Sequence, residues 1–178
     1  KTYKRYAISD DGISARALPG MENGLHVATS YEHDEDGYYI EDPAGVQRML
    51  QKRFAKLKAS EDSLLKPRLY GPPAAAVTLL GWGSTKNPCL EAMRMLGQEG
   101  IMVNFLHYVY LWPFPAEFTK TFLKGAQKIL GIEGNKTGQL VRLIRTETGI
   151  EIPETLLVCN GQPIYPIEIC HKVKEIMA

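Results

Sequence analysis

Ala74-Ala-Ala-Val-Thr-Leu-Leu-Gly-Trp-Gly-Ser-Thr85 follows Pro72-Pro73 and passes from a nearly unbroken apolar stretch into glycines and small hydroxyl residues. A short apolar run bounded by proline and glycine reads as a strand buried on both faces that turns directly into a helix. The same grammar recurs downstream. Ile101 to Leu111, Lys128 to Glu133 and Thr155 to Cys159 are further short apolar runs, each followed by a stretch with helical periodicity. The first helix is expected from about Ser84 to Gly97, capped by Ser84 or Thr85, with Cys89, Leu90, Met93 and Leu96 inward. The second starts at Pro115 and turns Phe118 and Phe122 or Leu123 inward. The third starts near Asn135 with Leu140, Leu143 and Ile144, and the fourth, from about Pro166, carries Ile169, Val173 and Ile176. Strands without alternation, joined by one-sided helices, imply a parallel sheet covered on both faces with right-handed crossovers. The expected fold is α/β, a three-layer αβα sandwich with these four parallel strands.

Before this block the chain reads differently. All six aspartates (Asp10, Asp11, Asp34, Asp36, Asp42 and Asp62) precede Ser63, and only glutamates follow. Up to Tyr39 the sequence is rich in turn signals, with only Leu25 to Thr29 and Tyr38 to Ile40 resembling short strands. Asp42-Pro43 then opens a helix, since Asp caps free amides and Pro is tolerated at the first helical position. Val46, Leu50, Phe54 and Leu57 fall on one face of it, and Arg48, Lys52, Arg53, Lys56 and Lys58 lie largely elsewhere. So little periodicity over so long a stretch is foreign to an ordinary loop. Residues 1–65 are read as an irregular arm with one amphipathic helix, made to lie on another domain, and residues 66–178 as the α/β domain.

Composition sets the outer limits. The 178 residues are 44% hydrophobic and 23% charged, values of an ordinary globular chain able to bury a core without disulfides. With 21 basic and 20 acidic side chains the formal charge is +1, which argues against nucleic acid or an anionic membrane as partner. No apolar run approaches the roughly 20 residues of a membrane helix. The opening, Lys1-Thr-Tyr-Lys-Arg-Tyr6, has neither an initiator Met nor a signal peptide and reads as a cut end of something longer. Cys89, Cys159 and Cys170 are an odd set without zinc spacing. They read as reduced thiols of a cytoplasmic protein, too few for an iron–sulfur cluster held by this chain alone.

Two glycine turns are candidate anion sites. Gly83, Ser84 and Thr85 stand where a strand meets a helix, and Asn135, Lys136 and Thr137 lie inside Gly131-Ile-Glu-Gly-Asn-Lys-Thr-Gly138. A tight turn is the alternative for each. The first lacks the acidic ribose ligand of a dinucleotide fold, since no Asp or Glu lies between Gly100 and Pro115, which leaves a nicotinamide-linked dehydrogenase without its mark. The second lacks the Gly-Lys-Ser/Thr of a phosphate loop. Glu32-His-Asp-Glu-Asp-Gly37 concentrates carboxylates, but the calcium-loop position counted from Asp34 falls on Gly45 instead of Glu. His33, Asp34 and Glu35 are therefore read as a solvated turn or as acidic contacts to another domain, and no metal site is expected. Trp112 and Phe114, between prolines, are expected to be covered by the arm or a partner subunit. His107 reads as a hydrogen-bonded core imidazole, and no spacing marks a nucleophile with its base.

Glu32-His-Asp-Glu-Asp-Gly37 with Lys52-Arg53, Gly81-Trp-Gly-Ser-Thr85, Val103-Asn-Phe-Leu-His107, Leu111-Trp-Pro-Phe-Pro115 and Glu133-Gly-Asn-Lys-Thr-Gly-Gln-Leu140 occur together and in order. As a set they resemble the carboxy-terminal part of the alpha chain of 2-oxoacid:ferredoxin oxidoreductases of the 2-oxoglutarate type. Tyr3-Lys-Arg-Tyr6 and Gly12-Ile-Ser-Ala-Arg16 resemble the connector from the preceding domain. The resemblance implies a parent complex that oxidatively decarboxylates a 2-oxoacid with coenzyme A, forms an acyl-coenzyme A and reduces ferredoxin. It also implies thiamine diphosphate and magnesium between the amino-terminal domain of the same alpha chain and a beta subunit, iron–sulfur clusters in other chains, and gamma and delta subunits in some assemblies. Residues 66–178 resemble a transketolase carboxy-terminal domain, which implies a sheet of four to five strands with one antiparallel, the fifth being looked for in the arm. No catalytic residue and no cofactor bound by this stretch follows from the resemblance. The expected role is structural and assembly-related; a stand-alone phosphate- or coenzyme A-binding module is the alternative.

Overall fold

In the computed structural model, which describes residues 3–178 and only the backbone at Asp62, the apolar runs are strands and their sequels helices. Lys1 and Thr2, part of the opening read as a cut end, lie outside the described residues. The backbone divides into two units, Lys1–Leu64 and Leu65–Ala178.

The second unit contains β1 (Arg68–Tyr70), β2 (Val77–Trp82), β3 (Val103–Tyr108), β4 (Ile129–Glu133) and β5 (Glu154–Leu157) in one sheet of order β1-β3-β2-β4-β5. β2, β3, β4 and β5 pair in parallel; β1 runs antiparallel along the edge, Arg68 opposite His107 and Tyr70 opposite Phe105. This is the mixed five-stranded sandwich expected, with one correction. The fifth strand is not in the arm but just after it, in a three-residue segment too short to show a period.

The helices of this unit are α2 (Lys86–Gln98), α3 (Ala116–Lys124), α4 (Gln139–Thr148) and α5 (Pro166–Met177), and α1 (Pro43–Ser60) belongs to the first unit. Alternate side chains of the central strands supply two cores. Val77, Leu79, Val103, Phe105, Leu130 and Ile132 pack with Cys89, Ala92 and Leu96 of α2 and Ile169, Cys170 and Val173 of α5. On the opposite face Leu80, Leu106 and Tyr108 pack with Leu123 of α3 and Leu140 and Ile144 of α4. Burial of such side chains at about 25 cal/mol per Å² of apolar surface drives the fold.

Two helix starts differ from expectation. Thr85 precedes α2 but does not cap it through its side chain; its hydroxyl donates to Trp82 O at 2.9 Å. α4 begins at Gln139 because Asn135 Oδ1 accepts from the amides of Thr137, Gly138 and Gln139, which keeps the intervening chain in a turn.

In the first unit Asp42 caps α1, its Oδ1 accepting from Gly45 N at 2.7 Å, with Pro43 in the first turn. The expected strands of this unit are absent apart from an isolated bridge between His33 and Tyr39. The buried stripe of α1 is also different from the one expected: Gly45 and Met49 are buried, while Leu50 and Phe54 stand 42% and 68% exposed. Gly12 explains the choice. A Cβ there would fall on the Lys52 carbonyl and crowd the Lys56 amide, so the chain passes directly over that side of the helix, at a φ of +70° that suits glycine.

Candidate functional site

In an open, mostly parallel sheet, ligands are received where neighbouring strands send their chains to opposite faces. Here that point lies between β2 and β4. After β2 the chain enters α2 on one face, and after β4 it enters α4 on the other. A crevice of about 290 Å³ opens there, lined by Ser84, Thr85, Pro88, Gly134, Cys159 and Gln162 among others. The two glycine turns singled out in the sequence are thus brought to one place, Ser84 and Thr85 on one rim and Gly134 on the other. Gly83 is exposed beside it with a φ of +55°. Asn135, Lys136 and Thr137 do not line the crevice.

The donors an anion would use at α4 are already engaged. Glu133, the last residue of β4, is fully buried. Its Oε2 accepts from Leu140 N at 2.9 Å, Asn135 Nδ2 at 2.8 Å and Trp82 Nε1 at 3.2 Å, and its Oε1 from Val141 N at 3.1 Å. Leu140 and Val141 are in the first turn of α4, whose amides have no partner within the helix. The protein's own carboxylate therefore occupies the electropositive end of the helix, and Asn135 takes the amides just before it. Sequence reasoning missed this residue. Its signal was a lone acid closing an apolar strand directly before Gly134-Asn135.

What remains at the crevice rim is neutral. Its only ionisable side chain is the exposed thiol of Cys159. Cys89 and Cys170 are buried in the α2–α5 core; burial pushes the Cys89 thiol up to about 12 and raises Cys170 as well, so both are inert as nucleophiles. Among the described residues no group of three or more His, Cys, Asp or Glu side chains could hold a metal ion, and the three thiols do not fit an iron–sulfur cluster.

His107 is 7% exposed on β3, but its Nε2 has no hydrogen-bond partner, unlike the satisfied imidazole expected. Burial lowers its pKa below the ordinary value, the nearby Gly83 backbone opposes this and Lys86 adds to it, so the ring is neutral at pH 7. Tyr108 is buried, bonded to Thr119 Oγ1 at 3.0 Å, and pushed up to about 12 by that burial.

The acidic turn is used locally. Glu35 Oε1 accepts from Ile8 N at 2.9 Å, Asp34 Oδ1 from Asp36 N and Tyr38 N, and His33 stacks on Tyr6. In the other aromatic motif Phe114 turns inward and stacks on Tyr108, centroids 5.8 Å apart, whereas Trp112 stays 59% exposed.

Residues 75–169 match the family described as pyruvate:ferredoxin oxidoreductase core domain II. The 2-oxoacid:ferredoxin oxidoreductase 2 subunit alpha of Aeropyrum pernix is 39% identical, over 98% of this chain and 27% of its own length. The 2-oxoacid:ferredoxin oxidoreductase subunit alpha of Saccharolobus solfataricus is 32% identical, over 98% and 28%. A solved 2-oxoglutarate:ferredoxin oxidoreductase from Magnetococcus marinus, with 2-oxoglutarate, coenzyme A and succinyl-CoA bound, matches with a TM-score of 0.84 at 37% identity. That match covers 100% of this chain and 31% of the other. The chain spans under a third of the length of these relatives. Along its length the chain is similar to alpha subunits of 2-oxoacid:ferredoxin oxidoreductases, and by the family match across most of its second unit it belongs to the family described as pyruvate:ferredoxin oxidoreductase core domain II.

Proposed function

We propose that this chain is part of the alpha subunit of a complex that oxidatively decarboxylates 2-oxoglutarate with coenzyme A and passes the electrons to ferredoxin. Its contribution is to hold other components in place. Residues 66–178 form the positioning domain, and residues 1–65 a connecting arm that lies on the amino-terminal domain of the same alpha chain. His33, Asp34, Glu35 and Trp112 face neighbours in the assembly. Thiamine diphosphate, magnesium and the iron–sulfur clusters belong to that domain, the beta subunit and further subunits, and the complex is cytoplasmic. Among the described residues no helix is long and apolar enough to cross a membrane.

One observation carries this reading. Among the described residues Met49 is the only large apolar side chain of the first unit that is buried, while Ile8, Leu18, Leu25, Tyr31, Leu50 and Phe54 are all more than two-fifths exposed. A segment that leaves so much apolar surface in water is built to be covered. The neutral crevice and the self-capped α4 give no corresponding support to a stand-alone anion-binding module. Purification of the complex through this chain tests the proposal. Co-purification of a beta subunit with 2-oxoglutarate- and coenzyme A-dependent ferredoxin reduction is expected. Recovery of the chain alone, or of a complex that no 2-oxoacid turns over, would overturn it.

A further inference from the structure

A cavity of about 350 Å³ lies in the first unit. Arg5, Arg16, Lys52, Arg53 and Lys56 line it, and no aspartate or glutamate does. Tyr6 and His33 form a further part of its wall, their rings stacked with centroids 3.9 Å apart. Among the described residues only Arg53 of these cations has a carboxylate partner, Glu32. Arg5 lies over the Tyr6 ring, 5.3 Å from its centroid, and Lys52 Nζ donates to Gly12 O at 3.2 Å. Four other acids of the unit, Asp34, Glu35, Asp36 and Asp42, line a separate hollow with Lys4 and Arg48.

Charge is therefore sorted within a chain whose formal total is +1. The sorting has a cost. Burial holds the Lys52 ammonium below its ordinary pKa, and Lys56, Arg5 and Arg53 push it further down, with Asp11 acting the other way. Like charges gathered around a hollow repel one another until an anion enters. A single carboxylate answers one cation and leaves the rest unbalanced. A phosphate or diphosphate brings several oxygens and more than one charge, which suits guanidinium forks beside lysine point charges.

We propose that this cavity is a binding site for the phosphate end of a small phosphorylated ligand, held by Arg5, Arg16, Lys52 and Lys56. It goes beyond the oxidoreductase reading and does not depend on it. The test is calorimetric titration of the full chain with pyrophosphate, with succinate as the carboxylate control and coenzyme A as an organic diphosphate. Pyrophosphate is expected to bind at one site, more weakly as salt rises. Arg16→Glu and Lys56→Glu, both at exposed positions, are expected to weaken it about tenfold or more each. Arg142→Glu, exposed in the second unit, is expected to leave it unchanged, and circular dichroism checks that each variant is folded. Coenzyme A that binds and is displaced by pyrophosphate identifies an organic ligand; pyrophosphate binding without it identifies an inorganic one. No heat at millimolar pyrophosphate, equal binding of succinate, or indifference to both cavity variants would overturn the site.

Discussion

Glu133→Gln keeps the side chain's shape and removes its charge, and so isolates what a strand-end carboxylate does for the helix that follows. Three donors, from Trp82, Asn135 and Leu140, meet Oε2, and the Val141 amide meets Oε1. A glutamine oxygen in the Oε2 position retains the three, but its NH₂ group then faces the Val141 N–H, donor against donor. One orphaned buried amide costs about 1–3 kcal/mol. Losing a negative charge at the helix N-terminus costs about 0.3–2 kcal/mol more. The expected destabilisation is about 1–5 kcal/mol. At about 2–4 °C per kcal/mol for a chain of this size, the melting midpoint falls by about 2–20 °C. Thermal melting by circular dichroism measures the shift, and amide exchange at Leu140 and Val141 should accelerate alongside it. A glutamine variant within about 0.5 kcal/mol of the parent, with those amides equally protected, would refute the assignment of Glu133 as the cap of α4.

Three further outcomes follow from the geometry. His107 has its folded pKa below the ordinary 6.5, so the unfolded chain binds its proton more readily. Its contribution is fully present above 6.5 and is lost as pH falls through the depressed folded value, and His107→Gln should flatten melting curves taken across that window. A thiol reagent should modify Cys159 in the native chain, with Cys89 and Cys170 reacting only after denaturation; rapid native labelling of Cys89 would contradict its burial. Leu50→Asp with Phe54→Asp should change the stability of the chain by about 1 kcal/mol or less, since both side chains are exposed, yet abolish co-purification with the other subunits. Unimpaired assembly would remove that face of α1 from the interface.

The βα rhythm was legible because the buried central strands β2, β3 and β4 have no alternation to blur, and β2 and β4 each run directly into a glycine, Gly83 and Gly134. β1 was not, because Arg68-Leu-Tyr70 has too few residues for a pattern and borrows its place from β3. On α1 the period offered a stripe through Leu50 and Phe54, but periodicity records which residues are apolar and not which neighbour arrives. The neighbour is the Gly12 turn, and it selects the Gly45–Met49–Lys52 side. The start of α4 was displaced by a side chain that imitates a turn, a competition that propensity does not weigh. The two glycine turns were singled out as candidate anion sites, but the buried acid that satisfies one of them was not. The basic cavity stayed hidden because Arg5 and Arg16 approach Lys52 and Lys56 only in three dimensions.

The central claim is that this chain positions the chemistry of a complex and performs none alone. The direct measurement is 2-oxoglutarate-dependent dye reduction by the purified chain, supplied with coenzyme A, thiamine diphosphate and magnesium, beside the assembled complex. Turnover by the complex and none above background by the chain is the predicted result. Substrate-dependent reduction by the chain alone would contradict the account.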